Sequence, residues 1–166
     1  MAHGDDREAR ADDEPLKLDP LQRDVLLPQI EAFLDATNDQ EAREVYSALR
    51  EAVLALAVPP PLQPRLGAIV EVALTSGRVR RLFGPGADLA LNALFKETPR
   101  GREITRSVGE VNTALAKLKG DAIENVSVVL RGPGAYSITF KTSSCEIVVR
   151  FEQAGVRVET LEIGDE

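Results

Sequence analysis

The sequence predicts an α+β fold, in which four or five N-terminal helices pack on a C-terminal four-stranded antiparallel β-meander. Between residues 19 and 119, apolar residues recur every three or four positions, which is the period of an amphipathic helix. Between residues 124 and 163 they alternate with polar residues in four segments, and turn residues separate the segments. Because a meander with one apolar face is not stable alone, we expect the helices to cover that face.

Residues 1–15 are expected to be a disordered acidic tail, and residues 16–166 a single α+β domain. The tail has six acidic and two basic residues, and it shows no apolar period that would indicate a helix or a strand. It also lacks the apolar core of a secretory signal. No apolar run in the chain approaches the ~18 residues of a membrane-spanning helix, so no membrane span is expected.

The first helix is predicted to begin at Asp19 and Pro20, the residue types that favour the N-cap and the first helical position. Pro28 lies inside the apolar pattern of this helix. Because a proline ring displaces the carbonyl group four residues back, we expect Pro28 to kink the helix or to divide it into two short ones.

Two more helices are predicted after the first. Asn38, with Glu41 three residues later, resembles a capping box at the start of the second helix, which should run to about Ala57. Three consecutive prolines then stop it. The third helix should start near Pro64 and end at residues 76–77, a Ser-Gly pair that favours a helix C-terminus.

Residues 78–83 are predicted to be a short helical connector, and the Gly-Pro-Gly sequence at 84–86 should break the chain before a fourth helix. The fifth helix should begin at Thr98 and Pro99, a second N-cap pair. Its apolar stripe is narrow and continuous, which suits a helix that lies across the apolar face of a sheet. The stripe consists of Ile104, Val108, Val111, Leu115 and Leu118.

The strands of the predicted sheet alternate apolar and polar residues, which indicates one buried and one solvated face. On the first strand, Val126, Val128 and Leu130 share the face that we expect to be buried. The turns between the strands are short, so strands that follow each other in the chain should be antiparallel neighbours.

The last strand departs from this alternation. Val156 and Val158 share one face, whereas Leu161 and Ile163 lie on the other. A β-bulge near Thr160 would bring all four residues to one face. A strand that is apolar on both sides at its end would also account for the pattern.

Catalysis and cofactor binding are not expected from the residues present. His3 is the only histidine and lies in the predicted tail, where it is not held against a nucleophile as a general base. One histidine and one cysteine are too few for a zinc site, so we expect no metal. The sequence also lacks a glycine-rich phosphate-binding motif. It therefore favours a non-enzymatic protein without cofactors.

Cys145, the only cysteine, is predicted to be a buried apolar side chain, because it falls in phase with Ile147, Val149 and Phe151 on the third strand. A single cysteine forms no internal disulfide, which fits a reducing compartment. The cytoplasm is therefore the expected location. The richness in Ala, Leu, Arg and Val is typical of a bacterial protein.

Basic residues are concentrated in the middle of an acidic chain. The whole chain has a net charge of −7, whereas residues 77–106 contain seven basic and three acidic residues, a net charge of +4. Six arginines in this stretch are candidates for an anion-binding site: Arg78, Arg80, Arg81, Arg100, Arg102 and Arg106. They lie at breaks between predicted helices, where arginines and free backbone N–H groups could bind an anion together. Ion pairs with acids of the first two helices or of the tail would also account for them.

The sequence favours two functions, and a weaker third is an enzyme or carrier with a cavity between sheet and helices that uses Tyr46, Tyr136 or carboxylates. The first is a protein-interaction or scaffold protein that binds a protein partner, or self-associates as a homodimer or larger homo-oligomer, through the C-terminal sheet. Sheet edges expose unpaired N–H and C=O groups, and outward-facing Leu161 and Ile163 would mark the contact surface.

The alternative function is a module that binds an anionic ligand through the six arginines. The ligand classes are a phosphate-containing small molecule, a lipid headgroup or a nucleic acid. Nucleic acid is the least expected of the three, because the net charge of the chain is negative and no aromatic stacking platform accompanies the arginines.

Overall fold

The structure, a computed structural model, describes residues 14–163 and has the predicted α+β fold. Within that range five α-helices come first, and a four-stranded antiparallel sheet follows. The helices are α1 (Pro20–Ala36), α2 (Gln40–Leu54), α3 (Gln63–Thr75), α4 (Arg78–Glu97) and α5 (Pro99–Leu115). Two short strands in the helical part pair antiparallel, β1 (Leu16–Lys17) and β2 (Ala57–Val58). The sheet consists of β3 (Ile123–Gly132), β4 (Ala135–Thr142), β5 (Cys145–Glu152) and β6 (Gly155–Ile163).

The chain divides into two compact units. The first ends at Arg102 and the second begins at Glu103, inside α5. The first unit has an apolar core built by α1 to α4, in which the largest fully buried side chains include Leu26, Ile30, Leu49, Leu66 and Leu91. The single domain expected over residues 16–166 stays a prediction. Most of the expected acidic tail, residues 1–13, lies outside the described residues.

Helix α1 begins where predicted, because Asp19 and Gln22 form a reciprocal cap. The Asp19 carboxylate accepts a hydrogen bond from the backbone N–H of Gln22 at 2.8 Å, and the Gln22 side-chain oxygen accepts one from the N–H of Asp19 at 2.9 Å. Of the two outcomes expected at Pro28, the division is wrong, since α1 continues through it for 17 residues in all, and the kink stays a prediction. Val25 and Ile30 on either side of Pro28 are buried. Packing of this apolar face therefore offsets the hydrogen bond that proline removes.

Helix α2 is capped by Asp39 rather than by Asn38. The Asp39 carboxylate accepts a hydrogen bond from the N–H of Ala42 at 3.1 Å, which leaves Asn38 outside the helix. The helix ends at Leu54, earlier than the sequence indicated. Ala57 belongs instead to β2, which pairs with β1. The sequence did not predict these two strands, because two residues are too few to show an alternating pattern.

The break expected in the middle of the chain is found at Gly84, whose φ of 85° and ψ of 177° are not helical. Only glycine adopts these angles readily, so Gly84 bends α4 after its first turns. Helix α5 begins after Thr98, as predicted. The Thr98 hydroxyl accepts a hydrogen bond from the N–H of Gly101 at 3.1 Å and so caps the helix.

In the second unit, α5 packs across one face of the sheet, as its apolar stripe predicted. Val111 and Ala114 of α5 form a buried cluster with Cys145, Ile147 and Val149 of β5. The burial predicted for the Cys145 thiol is thereby confirmed. The strands follow in the order β3-β4-β5-β6, so β3 and β6 are the two edges of the sheet.

Of the two explanations given for the last strand, the β-bulge is the one found. The neighbours Val148 and Val149 of β5 pair with residues of β6 that are two positions apart, and Glu159 is the extra residue between them. The bulge returns Leu161 to the apolar face of the sheet, where it pairs with Ile147.

Candidate functional site

The register of the sheet places apolar residues in rows across one face. One row, in which each residue pairs with the next, consists of Val128, Ile138, Val149 and Val158. Directly opposite residues of antiparallel strands point to the same side, so this face is apolar from β3 to β6. Helix α5 covers its β5 side, where Ile147 and Val149 are at most 1% exposed.

The β3 side of the same face is uncovered. We call this area the β3 patch, and its members are Val126, Val128, Leu130, Tyr136 and Phe151. Val126 is 51% exposed and Val128 is 63% exposed. The expectation that the first strand buries this face is therefore wrong. A helix is about 10 Å wide and strands lie ~4.8 Å apart, so one helix covers about two strands of the four.

The opposite face of the sheet is polar and carries ion pairs. Arg150 contacts Glu152 and Glu159, each at 3.2 Å. Nearer to β3, the Arg131 guanidinium donates a hydrogen bond to the Ser137 hydroxyl at 2.8 Å. The β3 patch therefore lies on the face that carries α5, and the charges of the sheet are concentrated on the other.

The two edges of the sheet differ in charge. Strand β3 has ten residues, and neither a charged residue nor a proline lies between Asn125 and Leu130. Its two charged residues, Glu124 and Arg131, lie at register shifts near its ends. Strand β6, at the other edge, carries Arg157, Glu159, Glu162 and the bulge. Natural sheets use charged residues, prolines and bulges to prevent edge-to-edge pairing. The β6 edge has this protection, and the central six residues of the β3 edge lack it.

The two residues expected to mark an interface lie in different environments. Leu161 is half-buried and packs against the cluster under α5. Ile163 is 61% exposed and pairs with Cys145 at the end of β6. Their role in association stays a prediction. The β3 patch was not predicted, although residues 128–130 form an apolar run without the alternation of a half-buried strand.

The six candidate arginines are spread over both units. Arg78, Arg80 and Arg81 are exposed on the first turns of α4, Arg100 and Arg102 are half-buried on the first turn of α5, and Arg106 is exposed in the second unit. Three of them line three different cavities. Arg78 lines one of about 280 Å³, Arg102 one of about 470 Å³ and Arg106 one of about 640 Å³. Binding of an anion by the six arginines stays a prediction.

The cavity at Arg102 combines three cations with two acids. Lys17, Lys96 and Arg102 line it together with Glu14 and Glu97. The Arg102 guanidinium also donates a hydrogen bond to the backbone carbonyl oxygen of Glu97. This cavity therefore has a small excess of positive charge close to the start of α5.

Comparison with protein-family models, with curated proteins and with solved structures finds no match for this chain. Residues 14–163 contain no group of three or more His, Cys, Asp or Glu side chains placed to hold a metal ion. Among the helices of the same residues, none combines the length and the apolar character needed to cross a membrane.

Proposed function

We propose that this chain is a protein-interaction module that accepts a β-strand from a protein partner along β3. The observation that carries the proposal is the contrast between the two sheet edges. The β3 edge is uncharged and regular over residues 125–130, with its two register shifts near its ends, at Glu124 and Arg131. The β6 edge carries three charges, and its bulge lies at Glu159, in the middle of the strand. An added strand would pair with the outward N–H and C=O groups of β3.

The β3 patch supports the same function. Backbone pairing alone selects no particular partner, because every strand has the same N–H and C=O groups. Val128 and Leu130 stand on the edge strand with more than half of their surface exposed. A partner strand with apolar residues at alternate positions would pack beside them and gain free energy from the buried area.

A synthetic peptide that contains only two residue types tests strand addition. A blocked peptide of alternating threonine and valine, in molar excess, is expected to shift the backbone amide resonances of β3 and to leave those of β6 unchanged. The control peptide has its central valines replaced by proline, which removes the N–H groups that pair with an edge. Unchanged β3 resonances with the alternating peptide would contradict the proposal.

We propose that this module is cytoplasmic, because its single cysteine forms no internal disulfide. Reducing compartments are where such chains are most common.

We propose anion binding at the Arg102 cavity as a second candidate function, supported by the three cations that line it. Inorganic pyrophosphate at low salt is expected to raise the melting temperature, and added salt should abolish the effect. Replacing Lys96 by alanine should remove the response, whereas the same change at exposed Lys119 in the second unit should preserve it. A pyrophosphate response that is equal in both variants would exclude this cavity.

A further inference from the structure

We infer that the strand which β3 accepts is β3 of a second copy of this chain, paired antiparallel around Val128. The inference rests on the proposed function and names its partner. It follows from three properties of β3: the register in which it fits itself, the placement of its charges, and the apolar area that it leaves uncovered.

The register follows from symmetry. Two identical antiparallel strands in one sheet are related by a two-fold axis perpendicular to the sheet, so the faces that carry α5 lie on the same side. A slip by one residue would turn every apolar side chain of one copy to the polar face of the other. The two-fold axis must therefore pass midway between the two copies of one residue, so that this residue faces its own counterpart.

The centre at Val128 gives the best match of side chains. Val128 then faces Val128 of the second copy, and Val126 faces Leu130 at both ends. A centre at Ser127 would set Leu130 against Glu124, and a centre one residue beyond Val128 would set Val126 against a glycine. Only the centre at Val128 pairs every β3 member of the β3 patch with an apolar residue.

The charges of β3 are compatible with this pairing. Its two charged residues, Glu124 and Arg131, lie near opposite ends of the strand. In a regular pair centred at Val128, Arg131 of one copy faces Asn125 of the other, and Glu124 faces Gly132. No two charged residues are therefore directly opposed, and both lie at register shifts of β3, outside the regular stretch 125–130.

The exposed area indicates how strongly two copies would associate. The five members of the β3 patch expose roughly 500 Å² per copy, less than the ~800 Å² that each partner buries in a standard interface. Pairing along one edge covers part of this area and adds the backbone hydrogen bonds. We therefore expect a reversible dimer whose population depends on the protein concentration.

Substitutions of opposite charge at Val128, the centre of the pair, test the pairing of two β3 strands. In Val128→Lys or Val128→Glu alone, two like charges face each other, and the association constant measured by sedimentation equilibrium should fall at least about thirtyfold. An equimolar mixture of the two variants sets lysine against glutamate and should restore association to within about threefold of the wild type. The matched control is Val72→Lys, at a helix position that is 52% exposed, which should associate like the wild type.

The register is tested separately by cysteine cross-linking with oxidised glutathione. Val128→Cys places two thiols directly opposite each other and should give a disulfide-linked dimer. Val126→Cys places them four residues apart along the strands, about 13 Å, and should not. Efficient cross-linking of Val126→Cys and none of Val128→Cys would overturn the register.

The oligomeric state and the peptide response together distinguish self-pairing from strand addition. A wild type that stays monomeric up to about 1 mM, while the threonine-valine peptide still shifts β3, would overturn self-pairing and leave strand addition standing. If the peptide also leaves β3 unchanged, both proposals fail. If Val128→Lys associates as strongly as the wild type, the inference is overturned as well.

Discussion

Replacing Gly101 by alanine is expected to lower the free energy of unfolding by about 3 kcal/mol or more. A Cβ atom at Gly101 would overlap the carbonyl oxygen of Phe95, and it would lie 2.5 Å from its carbonyl carbon and 2.8 Å from the Cα of Lys96. All three are backbone atoms, so rotation of a side chain does not relieve the overlap. The end of α4 and the first turn of α5 must move apart, which also disturbs the cap at Thr98.

Gly109 on the same helix is the matched control. A Cβ atom there meets nothing within 4 Å. Because alanine is the better helix former, Gly109→Ala should raise the free energy of unfolding by about 0.5–1 kcal/mol. Urea unfolding followed by far-ultraviolet circular dichroism measures both variants. Similar stabilities of Gly101→Ala and the wild type would contradict the close approach of α4 and α5.

Replacing Ile147 by alanine is expected to lower the free energy of unfolding of the second unit by about 2–5 kcal/mol. Ile147 is 0% exposed and packs in the cluster between α5 and the sheet, so the change leaves a cavity. The loss should be measured by hydrogen exchange of the slowest β5 amides, which lie beside the altered residue.

Ile163→Ala removes the same atoms from a side chain that is 61% exposed, and it should change the stability by less than about 0.5 kcal/mol. Equal losses in the two variants would show that α5 does not cover β5. Val128→Lys acts differently from Ile147→Ala, because Val128 lies outside the buried cluster. It should weaken association and leave the slowest β5 amides unchanged.

Features governed by neighbouring residues could be predicted from the sequence. Asp19 and Thr98 cap their helices because their side-chain oxygens accept a backbone N–H of the first turn, and the proline after each favours the first helical position. Gly84 breaks α4 because glycine reaches backbone angles that are closed to other residues. The bulge at Glu159 could be inferred because an extra residue is the simplest way to bring Leu161 back to the apolar face.

Features governed by packing could not be predicted in the same way. Pro28 does not divide α1, because the residues around it are buried in the core of the first unit. The alternation in β3 shows that Val126 and Val128 share a face, but it does not show how many strands one helix covers. Coverage depends on the position of α5 over the sheet, and α5 lies against β5.

The sequence indicated an interface at the last strand of the C-terminal sheet, whereas our proposal concerns the other edge of that sheet. The change of apolar face along β6 suggested Leu161 as an outward residue. The bulge instead places Leu161 on the apolar face, where it is half-buried against the core. The edge with an unprotected centre is β3, where the relevant signal is the absence of charge between Asn125 and Leu130. An absence of charge is common in buried strands too, so it becomes informative only when β3 is known to be an edge.

The most direct measurement of self-pairing is hydrogen–deuterium exchange at two protein concentrations, one well below and one well above the dissociation constant of the dimer. At the higher concentration the amides of β3 should exchange more slowly, because the second copy pairs with its outward edge, and those of β6 should be unchanged. Val128→Lys should remove the concentration dependence. Exchange of β3 that is the same at both concentrations, or slowing at β6 instead, would contradict the account.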